Sequence, residues 1–148
     1  MSRSQRLQPL RTFMARKEEE AARAVSRAAQ ELDRAKAQLE TLQRFRREYA
    51  SRIQRQNPVM NARQLQEYRA FLANLGRAIE EQQAALQRMR QQHAALERDW
   101  RQLHCRLRGV GKFQDRLKRQ EDQRRERRLQ AEMDDRSAAR HRRTKVNK

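Results

Sequence analysis

The sequence predicts an all-α protein, two long helices folded back on each other as an antiparallel coiled-coil hairpin. Three observations carry this prediction: a seven-residue apolar repeat in both halves, one break near residue 58, and a composition of strong helix formers. Hydrophobic residues make up 36% of the chain and charged residues 38%. That is too few apolar side chains for a thick core, and enough for a narrow stripe along a helix. Only three Gly and two Pro interrupt 148 residues, so one domain, residues 1–148, is expected.

The first element is a helix over about 3–56. From Leu7 at spacing seven the residues are Leu7, Met14, Ala21, Ala28, Ala35, Leu42 and Tyr49, all apolar. The companion series is Arg11, Glu18, Val25, Leu32, Leu39, Arg46 and Ile53, apolar at four of seven. Interleaved, they form the 3–4 alternation of a coiled-coil seam. The helix should end at Asn57-Pro58, because Pro lacks an N–H and disfavours helical backbone at the preceding residue. Residues 57–60 are the expected turn. Asn61, followed three residues later by Gln64, suits the start of a second helix.

The second helix is expected over about 61–135. One series is Leu65, Leu72, Ile79, Leu86, His93, Trp100 and Leu107; the other is Tyr68, Leu75, Gln82, Met89, Leu96, Leu103, Val110 and Leu117. Only His93 and Gln82 break the pattern, as polar seam residues that set register. So short a turn makes the helices antiparallel neighbours. A turn centred near residue 59 predicts partners whose numbers sum to about 118. Leu39 then faces Ile79, Leu32 faces Leu86, and Leu7 lies near Val110 and Gly111. Gly109 and Gly111 mark either a hinge or a tolerated weak point. The apolar series fades after Leu117; residues 116–148 carry 13 basic and 6 acidic side chains, and about 136–148 read as an irregular basic tail.

Charge and inventory bound the function. The formal net charge is +18, which favours acidic partners. No apolar run is long enough for a membrane span or a secretory signal, and the lone Cys105 forms no internal disulfide, so a cytoplasmic protein is expected. His93, His104 and His141 share no constellation with a nucleophile and a carboxylate. His104 and Cys105 are adjacent on a helix and point about 100° apart, a poor metal pair. Gly109-Val110-Gly111-Lys112 lacks the spacing of a phosphate loop. No catalytic residue, cofactor or metal is expected, and the protein should act by contact. Phe45 and Phe71 fall off both seam series yet lie close under the pairing rule. They form an exposed apolar patch or pack sideways to broaden the seam.

The ordered landmarks resemble the FliJ family of flagellar proteins. They are NARQLQEYRAFLANLGRAI at 61–79, a basic start with Leu7 and Leu10, an Ala-rich first helix, LxxFRREY at 42–49, and Trp100 in WRQLHCRLR. The resemblance implies a two-helix coiled coil similar to the central stalk subunit of rotary ATPases, acting in the type III flagellar export apparatus at the inner membrane. It implies three partners: the hexameric export ATPase, the cytoplasmic domain of the export gate protein, and export chaperones. Gate-binding positions carry over to Gln38, Leu42, Phe45, Tyr49, Phe71, Leu75, Ala78 and Gln82. The ATPase-facing ends would include Leu7, Arg11, Lys112, Arg116 and Arg119. Two other readings stand beside it, the stalk of a virulence-type injectisome and a basic coiled-coil nucleic-acid binder. The absence of any aromatic after Phe113 to stack on bases weighs against nucleic acid.

Overall fold

A computed structural model describes residues 1–146. Two helices, α1 (Arg3–Gln56) and α2 (Ala62–Val146), pack against each other as a helical hairpin, with no strand among the described residues. Each helix begins in a capping box. Ser2 Oγ accepts the Gln5 N–H at 3.3 Å while Gln5 Oε1 accepts the Ser2 N–H at 3.2 Å. At α2, Asn61 Oδ1 accepts the Gln64 N–H at 2.8 Å and Gln64 Oε1 accepts the Asn61 N–H at 3.3 Å. Between them the Val59 N–H returns to the Gln56 carbonyl at 2.9 Å, closing the turn. α2 runs unbroken through Gly109 and Gly111, and no glycine has positive φ. Residues 136–146, expected to be irregular, continue α2 as exposed helix. Their Arg and Ala are strong helix formers with no Gly or Pro among them. Residues 147–148 of the expected tail lie outside the described residues.

The chain divides into two compact units. One comprises Glu19–Arg101. Its core is the buried cluster Ala35, Leu39, Ile79 and Leu86, with Leu32, Leu42, Leu75 and Met89 packed against it. All eight are seam positions of the heptad series. Ala35 supplies the close approach and Leu39, Ile79 and Leu86 the bulk. Leu32, Leu39, Ile79 and Leu86 all belong to this cluster.

The other unit joins Met1–Glu18 to the chain from Gln102 onward. Here the seam includes polar residues, Gln114 before Leu117 and Glu121 after it. Gln114 and Ser4 are buried and Glu121 is half-buried. Gln114 Nε2 donates to the Ser4 carbonyl and to Gln8 Oε1, both at 2.9 Å, and Gln114 Oε1 accepts from Arg11 at 2.8 Å. The Glu121 carboxylate accepts the Ser4 N–H at 3.1 Å and the Ser4 hydroxyl. The first N–H groups of a helix have no partner in their own helix, so Glu121 satisfies one of them from α2. Pro9 lies inside α1 and lacks an N–H, which removes a hydrogen bond from its second turn. The ties from α2 hold that weakened start in place.

The three polar residues of the α1 seam each have an answer on α2. An added Cβ at Gly111 would lie 3.2 Å from the Arg11 guanidinium, and one at Gly76 would lie 3.4 Å from that of Arg46. Glu18 Oε1 lies 3.3 Å from His104 Nδ1. In all three pairs the residue numbers sum to 122, not 118. Helical side chains lean toward their own N-terminus, so contacting partners lie about one residue C-terminal of the level they cover, on each helix. That accounts for about two of the four residues of shift.

Gly109 differs from Gly111. Nothing lies within 4 Å of a Cβ added at Gly109. Gly109→Ala should therefore raise stability by about 1 kcal/mol through helix propensity alone. Gly111→Ala should gain less, because the Arg11 guanidinium must shift, and an Arg11→Ala background should restore the difference. Equal rises in melting temperature for the two glycine variants would show that Arg11 does not need the space.

The hydrogen bonds from the Ser4 side chain, then from its backbone, hold the Glu121 carboxyl below its ordinary value. A depressed carboxylate contributes stability above its unfolded-state pKa and loses it as pH falls through the folded one. The advantage of the wild type over Glu121→Gln should be full above about pH 5 and shrink in more acidic solution. An advantage independent of pH in thermal melts would remove the carboxylate from the tie.

Candidate partner-binding surfaces

The sequence-derived gate residues occupy heptad positions of two kinds. Leu42, Tyr49, Leu75 and Gln82 are seam positions; Gln38, Phe45, Phe71 and Ala78 each stand one residue before a seam position. In an antiparallel pair the positions before the seam lie on one side of both helices. All eight belong to the unit Glu19–Arg101, and pairing them as Gln38 with Gln82, Leu42 with Ala78, Phe45 with Leu75 and Tyr49 with Phe71 gives a constant sum of 120. They form one two-helix face.

Contacts within this face are specific. The Phe45 and Tyr49 rings stack at 5.8 Å between centroids, and Tyr49 meets Phe71 at 5.0 Å, tilted by 46°. Tyr49 is half-buried, whereas Phe45 is 50% exposed and Phe71 45% exposed. Both phenylalanines thus sit on Tyr49, outside the seam, and leave half of each ring to solvent. The Arg52 guanidinium lies 5.7 Å from the Tyr49 ring centroid, within cation–π range. Farther along, Gln38, Leu42 and Gln82 line a shallow groove of about 440 Å³ with Ala37 and Thr41. Leu42 and Leu75 pack against the buried cluster, so they support this surface more than they present it.

The second candidate set, in the unit holding both chain ends, separates into two kinds. Leu7 is a half-buried seam residue, and Arg11 is turned inward to Gln114 and across Gly111, with Asp115 Oδ1 at 3.9 Å. Lys112, Arg116 and Arg119 are exposed. Lys112 and Arg119 stand two residues after the seam positions Val110 and Leu117, on the side turned away from α1, and Arg116 stands one residue before Leu117, beside them. The Ser4, Gln114 and Glu121 tie went unread in the sequence because hydropathy stops at Leu117, although Gln114 and Glu121 continue the series of Leu107 and Ser4 precedes Arg11 by seven. Leu10, Phe13 and Phe113 are also exposed; Leu10 and Phe113 share the heptad position of Phe45 and Phe71, while Phe13 precedes the other seam series, that of Leu7.

No group of His, Cys, Asp or Glu among the described residues could hold a metal ion. No helix of the described chain is long and apolar enough to cross a membrane. Two solvent-exposed faces stand out, one aromatic and one basic.

Comparison with known proteins agrees with the landmarks of the sequence. The profile of the family described as Flagellar FliJ protein matches residues 3–145. No curated protein and no solved structure matches. The match spans nearly the whole chain, both helices and the turn included: the chain belongs to the FliJ family, a family of the flagellar protein-export machinery.

Proposed function

We propose that this protein is a non-catalytic stalk and coupling component of the flagellar type III export apparatus. It engages the hexameric export ATPase through the unit holding its chain ends and the export gate protein through the aromatic face of the other unit. It assists the delivery of chaperone-bound substrates and associates peripherally with the inner membrane through these partners. The observation that carries the gate assignment is the pair of half-exposed phenylalanines stacked on Tyr49. A ring left half in water on a helix contributes little to folding and much to a partner that covers it. At the chain ends, Lys112, Arg116 and Arg119 are the groups free to meet an acidic ATPase surface, while Leu7 and Arg11 hold α1 to α2.

Truncating an aromatic anchor in an interface costs about 2 kcal/mol or more. Phe45→Ala and Phe71→Ala should each weaken binding of the gate protein's cytoplasmic domain by roughly thirty-fold, with small changes in melting temperature. Because both rings rest on Tyr49, the double variant should lose less than the sum. ATPase binding should survive. A variant that unfolds while its folded fraction binds the gate normally would make the patch core and overturn the assignment.

Truncation after Gln123 keeps Glu121 and its tie to Ser4 but removes the exposed basic end of α2. It should leave the melting temperature unchanged and weaken ATPase binding or ring assembly. Full stimulation of ring assembly by the truncated chain would make that segment a bystander.

A further inference from the structure

Gly109 is a helical glycine for which the fold gives no reason. Its φ is not positive, it lies in the interior of α2, and an added Cβ would meet nothing within 4 Å. Gly in such a place weakens a helix relative to Ala. Gly111, two residues later, makes room for Arg11; Gly109 makes room for nothing among the described residues. Its bare backbone suits close approach from outside.

The surroundings support that reading. Gly109 stands one residue before the seam position Val110, and Phe113 one before Gln114. On α1, Leu10 and Phe13 stand one before Arg11 and Met14. The four therefore lie on one side of the helix pair, with Phe13 opposite Gly109 in the register of the polar pairs. Leu10 is 47% exposed, Phe13 58% and Phe113 43%, apolar side chains on the same side as the bare backbone of Gly109. Its border is basic. The Lys17 ammonium lies 5.6 Å from the centroid of the Phe13 ring, and Arg6, Arg106 and Arg116 are exposed on the same side. Glu20 is the first carboxylate met along this face of α1, beyond Lys17.

We propose that this face is a docking groove for one acidic amphipathic helix of a partner protein, with a large apolar residue of that helix inserted over Gly109 between Phe13 and Phe113. A third helix laid between two others needs a knob-sized hole, and the missing Cβ provides one. The basic border selects acidic flanks on the incoming helix and disfavours a second copy of this chain, whose own Arg6, Lys17, Arg106 and Arg116 would face the same charges. A flat bilayer surface would make no use of the notch. The proposal shares Arg116 with the export reading and otherwise stands apart from it, since it invokes neither the aromatic face of Phe45 and Phe71 nor Lys112 and Arg119.

The test is selection from a displayed library of amphipathic helical peptides against the full chain, followed by binding measurements on variants. Selected peptides should carry Glu or Asp beside a large apolar ridge and bind more weakly as salt rises. Gly109→Leu fills the notch with a better helix former, so it should reduce their affinity by about tenfold or more without lowering the melting temperature. Phe13→Ser should reduce it comparably. Peptides that ignore Gly109→Leu, or a selection that yields basic peptides, would overturn the proposal. So would self-association of the chain that Gly109→Leu abolishes, or binding to phosphatidylglycerol vesicles that depends on Phe13 and Phe113 but not on Gly109.

Discussion

A seam of leucine and alanine repeated every seven residues is nearly indifferent to sliding by one heptad, so the residues that hold this hairpin in one alignment are the ones that break the apolar pattern. Arg11, Glu18 and Arg46 occupy seam positions of α1, and each meets a residue of α2 fitted to it: Gly111, His104 and Gly76. A slide would place the two guanidinium groups against side chains with a Cβ and leave the Glu18 carboxylate away from His104. Polar seam residues specify register at some cost in stability. Here the apolar positions supply attraction and the polar ones alignment. The pairs are partly solvated, so their stabilisation is modest, but misalignment loses all of them together.

The fold was legible because a coiled coil writes its burial into sequence spacing. The buried core residues Ala35, Leu39, Ile79, Leu86 and Leu117 are members of the heptad series, and the Asn61–Gln64 capping box is present as expected. What stayed hidden has physical causes. The two-residue part of the register offset comes from side-chain tilt, which residue numbers alone do not carry. The Ser4, Gln114 and Glu121 tie is polar, so a search for apolar residues ends before it. The difference between Gly109 and Gly111 depends on what lies across from each, and adjacent residues of one sequence give no sign of it. The helical run to Val146 was obscured by its charge, since arginine-rich segments read as solvated tails although Arg and Ala favour helix.

The aromatic surfaces follow from how little a two-helix layer can hide. Among the described residues no large side chain is fully buried, because each helix has one neighbour and buries one stripe. A residue one position before the seam is always half in water. At that position most of the chain carries Arg, Lys, Gln or Ala. Where it carries Phe, at 13, 45, 71 and 113, the apolar half that remains exposed contributes nothing to folding, and a covering partner gains about 25 cal/mol per Å² removed from water.

The two sets of phenylalanines are nevertheless built for different shapes. Around Phe45 and Phe71 the space between the rings is filled by Tyr49, at 5.8 and 5.0 Å from its neighbours. The result is a continuous aromatic ridge, suited to a pocket on the partner. On the side of Phe13 and Phe113, Gly109 stands one residue before the seam, with open space above it. Under the docking proposal, that open space takes a projecting residue of the partner helix. Phe45, Phe71 and Phe113 precede one seam series of their helix and Phe13 and Gly109 the other, so the two surfaces differ in heptad position as well as in having Tyr49 in one and the bare backbone of Gly109 in the other. Under the two proposals, a partner shaped for one surface leaves its contact atoms misplaced at the other, so the same thin scaffold would hold two partners apart by shape as well as by charge.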